Sequence, residues 1–152
     1  MEFLIKSFTD LQNEELYQIM QARLDVFVLE QHCMDRDLDN LDLKAMHCFI
    51  KENDQIVAYS RLLPAGVKYE QPSIGRVLTV KESRHEGLAS KMLASGIEYI
   101  EKNWKPAQIK VQAQAHLEAF YGALGFETVS DVYEDVGIPH IDMLKTVPSL
   151  NE

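Results

Sequence analysis

The chain has 152 residues, 46% of them hydrophobic and 26% charged, with a formal net charge of −9. That length suits one domain with a sizeable core, and the mix is ordinary for a soluble globular protein. The acidic balance excludes a nucleic-acid binder, whose footprint is basic. No apolar run approaches the ~20 residues of a membrane helix, so no membrane partner is expected. Met1-Glu2-Phe3-Leu4-Ile5-Lys6 lacks the basic-then-apolar pattern of an export signal. With two cysteines and no such signal, the expected setting is a reducing cytoplasm.

Residues 2–8 read as a strand, and Asp10 as the N-cap of a helix. Leu16, Ile19, Met20, Leu24, Phe27 and Val28 recur at helical spacing, and the helix is expected to fail near Glu30 to His32. Residues 33–45 are irregular and acid-rich. Residues 47–51 and 56–63 form a hairpin about Glu52-Asn53-Asp54-Gln55, and Pro64 ends it. Residues 74–80 are a strand that runs through 81–87 into a helix from about 86 to 103. Leu88, Met92, Leu93, Ile97 and Ile100 are that helix's buried stripe, and Pro106 follows its end. Residues 109–113 are a strand. Leu117, Phe120, Tyr121 and Leu124 mark another helix, closed by Gly125. Residues 126–129 and 140–145 are the final strands, joined by a loop with Gly137 and Pro139, and the tail from Pro148 is loose. The order implies a mixed α/β domain over the whole chain, with its core about 3–147 and a central sheet covered by helices.

The chemistry concentrates where the strand at 74–80 meets the following helix. Gly87 lets a ligand approach the backbone closely, and Ala89 and Ser90 are small. Free amides of a first helical turn and the positive end of its dipole suit a pyrophosphate. Lys81, Arg84 and Lys91 add charge. Neither a Walker loop nor a three-glycine dinucleotide fingerprint is present. From these residues alone, Gly87 is either a phosphate-loop glycine or a packing glycine.

Arg84-His85-Glu86-Gly87-Leu88-Ala89 resembles the acetyl-CoA loop of the GNAT N-acetyltransferase superfamily, Arg/Gln-x-x-Gly-x-Gly/Ala. Phe120-Tyr121-Gly122-Ala123-Leu124-Gly125-Phe126 resembles that superfamily's Phe-Tyr-x-x-Leu-Gly-Phe ending. The runs around Arg23 to Cys33, Asp37 to Asp42, Ile74 to Val77, Gln112 to His116 and Val132 to Ile141 resemble its ElaA-like branch, so the likeness covers nearly the whole chain. Ala89 stands where many members have Gly, Gln114 where many have a CoA-contacting Asn, and Met34-Asp35 where the branch often has Pro-Tyr.

The resemblance implies the GNAT fold: a mostly antiparallel sheet whose central strands splay apart around the pantetheine arm. It implies acetyl-CoA as cosubstrate, no metal, and direct transfer through a ternary complex to a small-molecule or peptide amine. A homodimer is consistent with the superfamily's habits. The cofactor-binding residues it implies are Leu78, Thr79, Val80, Arg84, His85, Glu86, Gly87, Leu88, Ala89, Ser90, Gln114 and Tyr121. Leu78 and Val80 would give backbone groups to pantetheine, and an amide near Leu78 or Thr79 would polarise the thioester carbonyl. Tyr121 is the general acid for the leaving thiolate. For the base, Glu30 and His116 come first and His140 third. Arg23, Glu30, Arg76, His116 and His140 are the candidate acceptor contacts.

The aspartates at 35, 37, 39 and 42 resemble a calcium loop only superficially. Counting from Asp35, Asn40 stands where Gly is needed and Met46 where the bidentate Glu is needed. They serve either as an acidic rim for an amine or as a turn network pairing with Arg23 or Arg61. His32-Cys33 and His47-Cys48 lack zinc-ligand spacing. The competing functional class is a GNAT-like module that binds acetyl-CoA without turnover.

Overall fold

The computed structural model describes residues 1–33 and 35–148; Met34 and the tail at 149–152 lie outside the described residues. Strand β1 (Glu2–Ser7) is followed by a short 3-10 turn and helix α1 (Asn13–Arg23). Asp10 is not the cap of α1: it lies in the 3-10 turn, and its amide donates to Ser7 Oγ at 3.3 Å. Gln12 holds the N-cap position, and Glu15 Oε1 accepts from its amide at 2.8 Å. This is the reciprocal cap of a helix start.

The chain continues beyond Arg23 as a widened π-helical segment, Leu24–Glu30. Such widening is rare and recurs at functional sites. It also changes which side chains face inward. Ile19, Ala22 and Val26 are buried, whereas Leu24 is 46% exposed, although the apolar spacing places it on the inner face.

Strands β2 (Met46–Glu52) and β3 (Gln55–Leu63) form the expected hairpin. Asn53 and Asp54 have φ of 53° and 62°. Two left-handed residues in succession match the twist of the strands they join. β4 (Ser73–Thr79), α2 (Leu88–Asn103), β5 (Gln108–Gln114) and α3 (Glu118–Ala123) follow. The chain ends in β6 (Glu127–Thr128), β7 (Tyr133–Asp135) and β8 (Ile138–Thr146). The segment with Gly137 and Pro139 is therefore a hairpin and not a loop. Val136 (φ 50°) and Gly137 (φ 76°) make its two-residue turn.

Among the described residues the sheet has the order β1-β2-β3-β4-β5-β8-β6, with β7 added on β8. Every pairing is antiparallel except β4 with β5. That parallel pair is registered only at Ser73↔Lys110 and Ile74↔Val111, after which the strands diverge. On the far side of β4, Arg76 and Val77 stand opposite Ser60 alone, between Gly75↔Arg61 and Leu78↔Tyr59. This is a β-bulge, with Arg76 held at φ 51°.

The two faces of the sheet bury different layers. Ile109, Val111, Ala113, Ile141 and Met143 pack with Leu88, Met92, Leu93, Ile97 and Ile100 of α2, and with Tyr121 of α3. Phe49, Tyr59 and Leu78 pack with Ile19, Ala22 and Val26 on the α1 side.

A buried ion network ties the acid-rich segment to the α1 side. Arg23 (0% exposed) meets Asp42 at 2.6 Å and Asp37 at 3.0 Å. Arg61 (1% exposed) meets Asp39 at 2.9 Å and Asp42 at 3.2 Å. Arg76 meets Asp37 at 3.1 Å. Asp37, Asp39 and Asp42 thus act as a turn network, while Asp35 is exposed and accepts from the Arg36 amide.

Two predictions follow from these buried charges. Breaking a buried pair by removing one partner costs about 3–5 kcal/mol, so Asp42→Ala should lower the unfolding free energy in urea by about that amount. The second concerns Glu15. Burial alone would raise its pKa, but the Gln12 amide and the ammonium groups of Lys51 (2.8 Å) and Lys6 (3.0 Å) outweigh that and hold it at about 2. A depressed carboxylate stabilises the fold above its ordinary pKa of 4.5 and loses that contribution as pH falls toward about 2. Glu15→Gln should therefore be less stable at neutral pH by about 3 kcal/mol, and the gap should close between those two pH values.

Candidate acyl-transfer site

Where β4 and β5 part, a cavity of about 190 Å³ opens. The bulge residues Gly75, Arg76 and Val77 form one wall; Gln112, Ala113 and Gln114 of β5 form another. The widened segment contributes Phe27 and Val28, and Gln31 and Cys33 follow it. Residues 64–72 bring in Lys68 and Tyr69, and the β7–β8 hairpin brings in Asp135, Ile138 and His140.

Strand alternation decides which side each group occupies. Val111, Ala113 and Ile141 point into the α2 layer. Gln112, Gln114 and His140 therefore face the α1 side. Tyr121 enters from α3 on the opposite side of the sheet. The cavity joins both sides because the strands have separated.

Tyr121 is 6% exposed and lies edge-on to Phe120 and Phe126. Burial pushes its hydroxyl up to about 12, so it carries its proton throughout the neutral range. Gln114 lines the cavity and donates to Gln31 Oε1 at 3.3 Å. The polar wall beside it contains Tyr69, whose ring carries the Lys110 ammonium at 4.1 Å. Tyr69 donates to Gln112 Oε1 and Gln112 donates to Asp135 Oδ2, both at 3.4 Å.

Beyond β4 lies the glycine loop. Gly87 caps α2 with φ 74°, and a Cβ built there would meet nothing within 4 Å. No side chain caps the helix and no acidic residue occupies its first turn. The amides of Leu88, Ala89 and Ser90 thus begin a helix whose start faces open space, an end suited to an anion. His85 and Glu86 are exposed there. Arg84 is set by Thr79, whose carbonyl accepts from Nε at 2.9 Å, and by Glu30, 2.9 Å from its guanidinium.

Several expected site residues take other positions. Val80 does not offer its amide to the gap: that N–H donates to Val57 O at 3.0 Å, and its carbonyl accepts from Ser83 at 2.9 Å. Leu78 stands where the sequence puts it, in β4 and paired with Tyr59, with its side chain buried toward α1. Arg23 is fully buried in the ion network and is not among the residues lining the cavity. Arg76 does line the cavity, with Asp37 beneath it. Glu30 is engaged with Arg84 outside the cavity lining, and His116 is exposed and also outside it. His140 is in the lining.

Lys68, Tyr69, Gln112 and Asp135 also line the cavity. Lys68 and Tyr69 lie in no run that marks them in the sequence, and Gln112 and Asp135 fall in the branch-like runs at positions to which the resemblance assigns no role. Among the described residues no three His, Cys, Asp or Glu side chains converge to hold a metal. Both cysteines are free.

This arrangement is that of an acyl-CoA acyltransferase: parted strands, a bulge beside the gap, and an uncapped helix start following β4 in the chain. The acetyltransferase (GNAT) domain family matches residues 7–147, and the chain belongs to that family. Its relatives include a UPF0039 protein of Synechocystis, 41% identical over 93% of this chain and 92% of that one. Protein ElaA of Escherichia coli is 37% identical over 91% of this chain and 92% of its own. Among solved structures, an acyl-CoA N-acyltransferase from Pseudomonas aeruginosa superposes with TM-score 0.89 at 37% identity, covering 96% of this chain and all of that one. The crystal structure of E. coli ElaA also gives TM-score 0.89, at 35% identity over 95% of this chain and 98% of that one. The likeness seen in the sequence, to GNAT proteins and to the ElaA-like branch, therefore holds.

Proposed function

We propose that the protein transfers an acetyl group from acetyl-CoA directly to a primary amine within a ternary complex. The observation that carries this reading is the separation of β4 from β5 after two registered pairs, followed in the chain by the uncapped N-terminus of α2, whose loop is tied to the end of β4 by the Arg84–Thr79 hydrogen bond. The pyrophosphate of CoA is assigned to the amides after Gly87, with Arg84 alongside. The pantetheine arm is assigned to the gap, and Gln114 borders it. The bulge at Gly75 to Val77 turns β4 backbone groups toward the thioester, where an N–H stabilises developing oxyanion charge.

Tyr121 gives its proton to the departing thiolate. The buried, protonated hydroxyl is in the state an acid requires. Glu30 and His116, the bases suggested by motif position, are set apart from this chemistry by their places outside the cavity lining. Glu30 serves better as the group that orients Arg84. The acceptor is an amine that reaches the cavity from the α1 side.

Calorimetric titration tests the cofactor assignment. Acetyl-CoA should bind in the micromolar range, while ATP and NAD should not. Gly87→Glu should abolish binding, because it puts a carboxylate into the anion site and strains a left-handed position. Equal binding of ATP would sink the reading. Turnover is tested by thiol release with spermidine, an aminoglycoside, L-lysine, an arylamine and a short peptide with a free N-terminus. Release with at least one is expected; binding without release from any would leave a cofactor-binding module. In Tyr121→Phe, kcat should fall roughly 10²–10⁴-fold with acetyl-CoA affinity unchanged, and full turnover at every pH would remove the acid.

A further inference from the structure

We infer that His140 is the general base of the transfer, taking a proton from the acceptor nitrogen on the α1 side of the sheet. The inference rests on the acyl-transfer reading and adds the group that reading lacks.

His140 Nδ1 lies 2.7 Å from the Ile138 carbonyl oxygen. A carbonyl oxygen only accepts, so the proton of the neutral ring sits on Nδ1. Nε2 is left with its lone pair and has no hydrogen-bond partner among the described residues. The ring is fixed in a second way, by stacking on Tyr133 with centroids 6.4 Å apart and planes at 26°. Tyr133 is itself bonded through its hydroxyl to Asp142. A half-buried imidazole that lines a cavity, with one nitrogen committed to a carbonyl and the other without a partner among the described residues, is arranged to accept a proton.

Position on the sheet gives the direction of transfer. His140 pairs with Gln114 across β5 and lines the same cavity as Tyr121. It faces the α1 side, whereas Tyr121 arrives from the α3 side. A thioester lying in the gap would thus have a proton acceptor on one side and a proton donor on the other. Addition of the amine gives a tetrahedral intermediate in which nitrogen and sulfur occupy different corners, so the group that takes the proton from one and the group that gives a proton to the other are separate side chains.

The other titratable groups around the cavity are already committed or poorly placed. Asp37 is held by Arg23 and Arg76, and Asp135 accepts from Gln112. Asp35 is exposed and accepts from the Arg36 amide. Arg36, Arg61, Lys68 and Arg76 line the cavity as cations. Cys33 and Tyr69 complete the set.

In the step, the lone pair of the neutral amine forms the C–N bond to the thioester carbon. Nε2 of His140 takes one proton from that nitrogen. The C–S bond breaks, its electron pair stays on sulfur, and the Tyr121 hydroxyl protonates it. His140 then returns its proton to water and Tyr121 regains one. An amide and a free thiol result, with no change of oxidation state.

The test is thiol release between pH 6 and 9, using the amine that reacts fastest in the panel above. The unmutated protein should show kcat/KM rising with pH on the acid side. His140→Gln should lose that rise and fall on the order of 10²-fold or more, with its calorimetric affinity for acetyl-CoA and its melting temperature retained. Nitrogen-15 NMR of the imidazoles should show Nε2 of His140 titrating over the pH range of the acid limb. A rate within threefold of the parent overturns the assignment, as does an NMR titration outside that range. So does the same loss in His116→Gln or Glu30→Gln while His140→Gln stays active. No release by the unmutated protein with any amine sinks the parent reading instead, and this inference with it.

Discussion

β4 and β5 run side by side for two residue pairs and then part, although each is a central strand of the sheet. A central strand that leaves its neighbour exposes backbone donors and acceptors that sheet formation would otherwise satisfy. The structure tolerates the opening by using what lies around it. On its other edge β4 remains paired to β3 through a bulge, and β5 remains paired to β8 over seven registered positions from Gln108↔Thr146 to Gln114↔His140. The two halves of the sheet are thus each held from outside, and the gap between them is free to take a ligand.

The buried charges explain how one side of that gap is kept in shape. Arg23 and Arg61 reach the acid-rich segment from α1 and β3, and Asp37 and Asp42 answer them. Ion pairs this deeply buried add little net stability compared with apolar packing, because desolvation offsets the attraction. What they supply is geometry. Asp37 holds both Arg23 and Arg76, so the bulged segment of β4 is anchored to the end of α1 through one carboxylate. His47 extends the anchoring: Nε2 donates to the Asp42 carbonyl at 3.0 Å, and Nδ1 meets the Tyr59 hydroxyl at 2.7 Å.

How much of this is legible in the sequence depends on whether a residue acts locally. The stripe of α2 is plain, since Leu88, Met92, Leu93, Ile97 and Ile100 obey a single period and all are buried. Gly87 is legible as the glycine of the loop before α2, and it takes φ 74°, a left-handed conformation that glycine adopts without steric cost. The stripe of α1 misleads: burial falls on Glu15 and Arg23 as well as on Ile19, and the helix widens after Arg23. Periodicity assumes one pitch and apolar contacts. The turn at Val136-Gly137 is hidden because a β-branched residue rarely adopts φ near 50°. Tyr69, Lys68 and Asp135 reach the cavity only through long-range pairing, which no local pattern encodes. Glu30 and His116 stand in recognisable runs, yet a run gives position in the chain and not the direction of a side chain.

The Glu30–Arg84 pair shows why such a residue can matter without touching the chemistry. Both side chains are about one-third exposed, at 35% and 34%. A pair so placed contributes roughly 0–1 kcal/mol, since water and salt screen it. Its role is therefore not to hold the fold together. The stronger constraint on Arg84 is the Thr79 carbonyl at 2.9 Å, which stays in place whether or not Glu30 does. If a diphosphate binds at the amides after Gly87 as proposed, it competes with Glu30 for a guanidinium that the Thr79 carbonyl already aims. On the proposed reading, Glu30 occupies the loop's cation until an anion of higher charge takes it over, which fits an acid that ends the widened segment after α1 and meets Arg84 ahead of α2.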